Sequence, residues 1–158
     1  MRTIKFRGKR IDNGEWVFGF LFRTTVDGIP CNCILNGDSL FDDTSLPEYI
    51  SMYFTLNKDL FVVVPDTVGQ FTGLHDKNGE EIYEGDILQW GEGDYKIKQV
   101  VMFLHGAFGY KCDPYTFVSY VGNSNFNFWA KGTDNRFEII GNIHDNPDLP
   151  KGYDNKMV

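Results

Sequence analysis

One run of the chain, residues 64–90, constrains its fold more than any other part. The run holds a strand-like segment, a chain reversal at Asn78-Gly79 and a second strand-like segment that starts at Gly85-Asp86. Asn-Gly pairs tolerate the positive φ angles of tight turns, so they commonly join antiparallel strands. The same residues show no arrangement of nucleophile, base and metal ligands. We therefore interpret this run as structural.

The composition favours strands over helices. Aromatic residues make up 16% of the 158 residues, and 17 glycines punctuate the chain. Aromatic side chains are enriched in strands, and glycine is typical of the turns between them. From Leu60 onward, short strand-like segments follow one another with glycine-containing connections, which indicates an antiparallel meander. Because closure removes the exposed edges of short strands, we expect a small barrel.

We predict a mainly β fold with three parts. Residues 1–60 form an N-terminal β-hairpin region with one short helix, which packs on a small β-barrel formed by residues 61–150. Residues 151–158 form a flexible tail. The helix is predicted to start at Ser45, which can cap it, and to end near Asn57. Its apolar residues recur at helical spacing and are Leu46, Tyr49, Ile50, Tyr53 and Phe54.

The clearest local pattern in the first half is a β-hairpin around Asp12-Asn13-Gly14, and two registers fit it. With a two-residue turn at Asn13-Gly14, Ile11 faces Trp16 and strand alternation places basic and aromatic side chains on the same side. These side chains are Lys5, Arg7, Lys9, Phe18, Phe20 and Phe22. A face of this kind can stack on the bases of single-stranded nucleic acid and neutralise its phosphates.

A three-residue loop with Gly14 in the left-handed conformation gives the other register, in which Ile11 faces Glu15. The side chains that then share one side of the hairpin are Ile4, Phe6, Trp16, Phe18, Phe20 and Phe22. A one-residue slip moves every side chain to the opposite face, so burial should decide between the registers. We favour the three-residue loop because it buries every large apolar group and leaves the basic residues of the first strand on a solvated outer face.

No motif in the chain predicts catalysis. His75-Asp76 and His144-Asp145 resemble metal-ligating pairs, but turn residues follow both, and Asp is common at such turns. Glu84 and Asp86 belong to an acidic cluster of nonspecific spacing. A small metal-dependent enzyme would need these groups to converge with a histidine in one pocket. We therefore predict no catalytic, cofactor-binding or metal-binding residues and no cofactor, and an enzyme is the less favoured class.

Charge is unevenly distributed along the chain. The net charge of -7 opposes nonspecific attraction to polyphosphate. Through Arg23, however, six basic residues stand against two acidic ones, a net charge of +4 that leaves -11 for the remainder. The polar loop of residues 122–136 contains an apolar cluster, which would mark a partner surface if it is exposed. The candidate contact residues for a protein or a nucleic acid are Lys5, Arg7, Lys9, Arg10, Phe126, Phe128 and Trp129.

Location and assembly are predicted from equally simple features. No apolar run approaches the roughly 18 residues of a membrane span, and the first residues lack the apolar region of a signal peptide. Cys31, Cys33 and Cys112 are odd in number and lack zinc-knuckle spacing, so we expect reduced thiols. We predict a cytoplasmic protein with no membrane partner. Exposed edges of the N-terminal hairpin leave a homo-oligomer open.

Seven short blocks carry a pattern that extends over most of the chain. They are KFRGK at 5–9, WVFG at 16–19, TVGQFTGL at 67–74, DKNG at 76–79, IYEGDI at 82–87, EIIGNI at 138–143 and NP at 146–147. In this order they resemble the YopX family of small phage and prophage proteins. The resemblance implies a β-rich fold with an SH3-like barrel, and it carries over no catalytic residues because the family's biochemical role is not established. Residues 27–60 and 122–136 depart from the pattern.

We predict a non-enzymatic binding or regulatory module of phage or prophage origin that acts in the bacterial cytoplasm through contacts with an unidentified protein. The alternative function is a nucleic-acid-binding module that uses the N-terminal basic strand and a barrel face. Salt-dependent binding of short oligonucleotides separates the two.

Overall fold

The computed structural model describes residues 3–26, 28–36, 60–92, 95–111, 117–119 and 137–149. Within these residues the chain is mainly β, as predicted, and a short 3-10 helix at Pro65–Thr67 accompanies the strands. The strands are β1 (Phe6–Lys9), β2 (Trp16–Val26), β3 (Ile29–Asn36), β4 (Leu60–Val63), β5 (Gly69–His75), β6 (Glu81–Tyr83), β7 (Asp86–Glu92), β8 (Tyr95–Val100), β9 (Met102–Leu104), β10 (Ala107–Lys111), β11 (Phe117–Ser119) and β12 (Glu138–Asn142).

Two parts of the sequence-based prediction lie outside the described residues. They are the short helix at residues 45–57 and the tail at residues 151–158. The chain divides into two compact units, Met1–Gln70 and Phe71–Val158. The domain limits predicted from the sequence stay a prediction.

The N-terminal unit is an antiparallel sheet in the order β4-β3-β2-β1-β5, to which β5 contributes its first two residues. Ile34 on β3 and Val63 on β4 are fully buried, and Cys33 is buried on the opposite side of β3 from Ile34. The β2 and β3 strands approach closely at Gly19, where an added Cβ atom would lie 1.8 Å from the carbonyl oxygen of Leu35. Only glycine fits at this close approach, so Gly19 allows the two strands to pair here.

In the described part of the C-terminal unit, the antiparallel strands form three groups. β5 pairs with β6, β7 lies between β12 and β8, and β10 lies between β11 and β9. A buried apolar cluster lies within this unit and consists of Ile82, Leu88, Val101, Phe108 and Tyr110. The described sheets do not close on themselves, so the SH3-like barrel stays a prediction.

The predicted reversal at Asn78-Gly79 is confirmed, and the side chain of Asp76 organises it. A carboxylate oxygen of Asp76 accepts hydrogen bonds from the backbone amides of Asn78 at 2.7 Å and Glu80 at 3.0 Å. Its second oxygen accepts a bond from the amide of Ile139 at 3.2 Å. Burial opposes ionisation of Asp76, but these amide bonds outweigh it and hold the pKa of the carboxyl below its ordinary value.

Candidate functional site

The hairpin loop between β1 and β2 is one residue longer than the favoured prediction. The amide of Arg10 donates to the carbonyl of Glu15 at 2.9 Å, which closes a four-residue loop of residues 11–14. The amide of Gly14 donates to the carbonyl of Arg10 at 3.1 Å, and Gly14 has a φ of +74°, the left-handed conformation that was predicted for it. The amide of Glu15 donates to the side-chain oxygen of Asn13 at 3.0 Å.

This loop changes which side chains share a face. Arg7 lies opposite Phe18, and Lys9 lies opposite Trp16. The predicted three-residue register, which put the basic residues on the other side from the phenylalanines, is therefore wrong. The two-residue register is also wrong in its pairing, but its grouping of basic with aromatic side chains is the one that the structure has. We call this set the basic-aromatic face: Lys5, Arg7, Lys9, Trp16, Phe18, Phe20 and Phe22.

The cations of this face lie over aromatic rings. The Lys5 ammonium is 5.9 Å from the centre of the Phe18 ring, and the Lys9 ammonium is 5.5 Å from the centre of the Trp16 ring. The guanidinium carbon of Arg7 is 4.7 Å from the centre of the Trp16 ring. Arg7 is only 8% exposed, whereas both lysines are half-buried. The lysines are thus the more accessible cations of the face, and Arg7 is its buried cation.

A row of phenyl rings continues the basic-aromatic face along β2. Phe18, Phe20 and Phe22 are 41%, 43% and 38% exposed, respectively. Alternate residues of a strand point to the same side and lie about 6.7 Å apart. Three adjacent exposed phenylalanines form a contiguous apolar strip, which is typical of an interaction surface. Sequence analysis assigned Trp16 and these rings to a buried side, because the loop length was predicted one residue too short.

Arg10, a further predicted contact residue, lies apart from this face. Its guanidinium donates to the Asp12 carboxylate at 2.9 Å, and it lies 4.5 Å from the centre of the Phe61 ring. The hydrogen bond to Asp12 raises the pKa of Arg10 and lowers the pKa of Asp12. Glu15 is a second acidic neighbour at 3.8 Å. This charge is therefore engaged within the hairpin loop.

The predicted contact residues Phe126, Phe128 and Trp129 lie outside the described residues. Cys31 and Cys33, which the sequence predicts to be reduced thiols and not site residues, lie on β3 with their sulfur atoms 3.9 Å apart. Burial raises the pKa of the Cys33 thiol to about 11. At neutral pH this thiol is protonated.

Two residues of the predicted acidic cluster accept hydrogen bonds from backbone amides. The fully buried Asp86 carboxylate accepts a hydrogen bond from the amide of Tyr83 at 2.7 Å, and Glu84 accepts one from the amide of Phe103 at 3.3 Å. In the ranges that the structure describes, no group of three or more His, Cys, Asp or Glu side chains could hold a metal ion. No helix in these ranges is long and apolar enough to cross a membrane.

Both units are acidic, but to different degrees. Met1–Gln70 contains seven basic and nine acidic residues, a net charge of -2. Phe71–Val158 contains eight basic and thirteen acidic residues, a net charge of -5. The basic-aromatic face therefore belongs to the less acidic unit.

Comparison with known proteins places the chain in a family. The fold is similar to that in the crystal structure of protein EF1440 from Enterococcus faecalis, with 22% sequence identity, 95% of this chain and 99% of that chain covered, and a TM-score of 0.48. No curated protein matches the chain. The family model described as YopX protein matches residues 5–151. Since this match takes in most of the sequence, the chain belongs to the YopX family.

Proposed function

We propose that this protein is a non-enzymatic nucleic-acid-binding module and that the basic-aromatic face is its binding surface. One observation carries the proposal: two half-buried lysines and a row of exposed phenyl rings share one side of the N-terminal hairpin. Lysines neutralise phosphates, and aromatic rings stack on bases. The face offers both contacts. We therefore favour a nucleic acid as the ligand over the protein partner that the sequence predicted.

The distribution of charge supports this proposal. A net charge of -7 on the whole chain repels a polyanion, but binding depends on the field at the contact surface. Residues 1–23, which contain the members of this face, hold six basic and two acidic residues, a net charge of +4, so a phosphate chain meets less repulsion here than the charge of the whole protein implies. Salt screens charges over about 8 Å at physiological ionic strength, which weakens the repulsion from more distant carboxylates.

A phosphate would compete with the cation-π contacts that Lys5 and Lys9 make with the rings of the face. A cation over an aromatic ring at an exposed site gains about 0.5–1 kcal/mol. Lys5 and Lys9 lie over Phe18 and Trp16 at the outer limit of such contacts. Moving either ammonium group to a phosphate would also uncover a ring for a base.

Salt-dependent binding of labelled oligonucleotides, followed by fluorescence anisotropy, tests this function. The informative variant is Lys5→Gln with Lys9→Gln, and Lys96→Gln is the matched control because Lys96 is an exposed lysine of the C-terminal unit. Each phosphate contact contributes about 0.7–0.9 to the slope of log affinity against log salt concentration. We expect the double variant to lose affinity and slope, and the control to keep both. Absence of binding at low salt, or equal binding by all three proteins, would overturn the proposal.

Contact with a protein partner is the second candidate function. Phe103 and Ile143 are 45% and 36% exposed on the C-terminal unit, whose described residues carry an acidic surplus unsuited to nucleic acid. Capture experiments in nuclease-treated bacterial extract, with the native protein and Phe103→Ser, test it. A captured protein that the variant loses supports this candidate, and equal capture by both counts against it.

The wider biological setting is also a proposal. We propose a phage or prophage origin, on the family resemblance, and action in the bacterial cytoplasm. A homo-oligomer is also proposed. The described pairing of β1 with β2 ends at Phe6 and Gly19, whereas β2 continues to Val26. The edge of β2 beyond Gly19 could therefore pair with a strand of a second chain. Sedimentation velocity over a range of concentrations tests it. The SH3-like barrel is proposed for the C-terminal strands, and nuclear Overhauser contacts between edge strands test its closure.

A further inference from the structure

Resting on the proposed function, we infer that the nucleic acid is single-stranded and lies along β2, with successive bases stacked on the phenyl rings of the basic-aromatic face. The rings of Phe18, Phe20 and Phe22 follow one another at every second residue of an extended strand. The spacing of the rings, their exposure and the side chains beside them each favour a single-stranded nucleic acid as the ligand.

The spacing of the rings excludes stacked duplex bases. Alternate side chains on a strand are about 6.7 Å apart, whereas bases in a duplex follow one another about every 3.4 Å along each strand. Duplex bases also cover each other's faces, so they offer no open π surface to a protein ring. A single strand can stretch until one nucleotide spans two residues of β2, and each base can then meet one ring.

The exposed rings differ in their surroundings. The Lys5 ammonium lies over Phe18 at 5.9 Å, whereas no described cation lies over Phe20 or Phe22. Phe20 and Phe22 are therefore the principal stacking positions. The Lys5 ammonium reaches the Phe18 ring, and the Lys9 ammonium lies over Trp16, so both charges lie on the Phe18 side of these two rings. A strand whose bases stack on Phe20 and Phe22 would continue toward these ammonium groups with its phosphates.

The chemistry of the face predicts tolerance of base sequence. Its members are lysine, arginine, tryptophan and phenylalanine, which supply charge and π surface but no carboxylate or amide acceptor to read a base edge. Every base has a π face, so affinity should vary little between oligonucleotides of different sequence. A footprint of about four nucleotides is expected, at the low end of known single-strand sites.

Fluorescence anisotropy with two matched probes tests the inference: an oligo-dT of about twelve nucleotides and a mixed-sequence duplex of the same length. The informative variant is Phe20→Leu, which keeps apolar bulk and removes the ring, and Phe103→Leu is the control because Phe103 is similarly exposed on the other unit. Loss of one stacking ring weakens binding by roughly 5- to 150-fold. Thermal unfolding of each variant verifies that the fold is retained.

The possible results separate this inference from the proposed function. Oligo-dT binding that Phe20→Leu weakens and Phe103→Leu does not supports both. Binding of the duplex as tightly as oligo-dT, or single-strand binding that Phe20→Leu leaves unchanged, overturns the stacking inference but keeps nucleic-acid binding. If neither probe binds at low salt, the stacking inference and the proposed function are both overturned. A protein that is then captured by the native chain and not by Phe20→Leu would assign the face to protein recognition.

Discussion

The guanidinium carbon of Arg7 lies 4.7 Å from the centre of the Trp16 ring, across the β1-β2 pair of the N-terminal sheet. Arg7 is almost wholly buried, so its charge is shielded from water by the surrounding side chains. The lysines two residues to either side are more exposed. The three basic residues Lys5, Arg7 and Lys9 therefore divide into one that stabilises the sheet and two that are placed to meet a ligand.

This division predicts different stability effects for neighbouring cations. Arg7→Met keeps most of the apolar stem but removes the planar group from Trp16, so we expect the free energy of unfolding to fall by about 1–2 kcal/mol. Lys5→Met should change it by less than about 0.5 kcal/mol. Urea unfolding followed by tryptophan fluorescence measures both. Equal losses for the two variants would show that Arg7 has no special structural role.

The close approach of β2 and β3 predicts a large effect of a single methyl group. Gly19→Ala would put a Cβ atom 1.8 Å from the carbonyl oxygen of Leu35, at a φ of +154°. The β3 backbone must then move, and we expect a loss of about 3 kcal/mol or more in the free energy of unfolding.

Gly14→Ala is the control for this substitution. Gly14 also has a positive φ, of +74°, but no atom lies within 4 Å of an added Cβ. Only the conformational cost of about 1 kcal/mol applies. Urea unfolding that ranks the two variants equally would contradict the close contact between Gly19 and Leu35.

The hairpin loop predicts that Arg10 contributes less to binding than Lys5, although both were candidate contacts in the sequence. Arg10 is engaged by Asp12, and it lies over Phe61 instead of over the rings of β2. We expect Arg10→Gln to leave the affinity for oligo-dT within about twofold and to leave the salt slope unchanged, whereas Lys5→Gln lowers the slope by about 0.7. Titrations at several salt concentrations measure both quantities. A larger loss for Arg10→Gln would move the contact surface to the loop.

The Asp76 turn predicts acid sensitivity of the C-terminal unit. Amide hydrogen bonds hold the pKa of Asp76 below its ordinary value in the folded protein, while the unfolded chain has the ordinary value near 3.9. Ionised Asp76 therefore stabilises the fold above about pH 4, and this contribution is lost as the pH falls through the lower folded pKa. Asp76→Asn should cost about 1–3 kcal/mol at pH 7 and less at pH 3.

Urea unfolding of the native protein and Asp76→Asn at both pH values tests this prediction. The stability difference between the two proteins should shrink on acidification. A difference that stays constant with pH would mean that the hydrogen-bond geometry, and not the charge of Asp76, stabilises the turn.

The sequence predicted the position of the hairpin but not the side to which its residues point. Asn13-Gly14 marks the reversal, and the left-handed Gly14 is correct, but the loop has four residues. Contacts far along the chain accompany this register. The amide of Lys9 donates to the Thr67 hydroxyl at 2.9 Å, and the amide of Ile11 donates to the carbonyl of Val62 at 3.1 Å. Local turn chemistry contains no information about such long-range bonds.

A second reason for the wrong register is that burial does not follow one face of the N-terminal sheet. Cys33 and Ile34 are adjacent on β3, point to opposite sides and are both fully buried. A rule that places all apolar groups on one side fails for such a strand. In contrast, the structural role of Asp76 followed directly from the turn residues after it, because an Asx side chain acts on its own local backbone.

Amide chemical-shift mapping with oligo-dT tests the central claim most directly, because it locates the contact residue by residue. Binding through the basic-aromatic face predicts shifts concentrated at Lys5, Lys9, Phe18, Phe20 and Phe22, with the amides of β7 and β12 unaffected. Shifts confined to the C-terminal unit, or no shifts at low salt, would contradict the assignment of this face to nucleic acid.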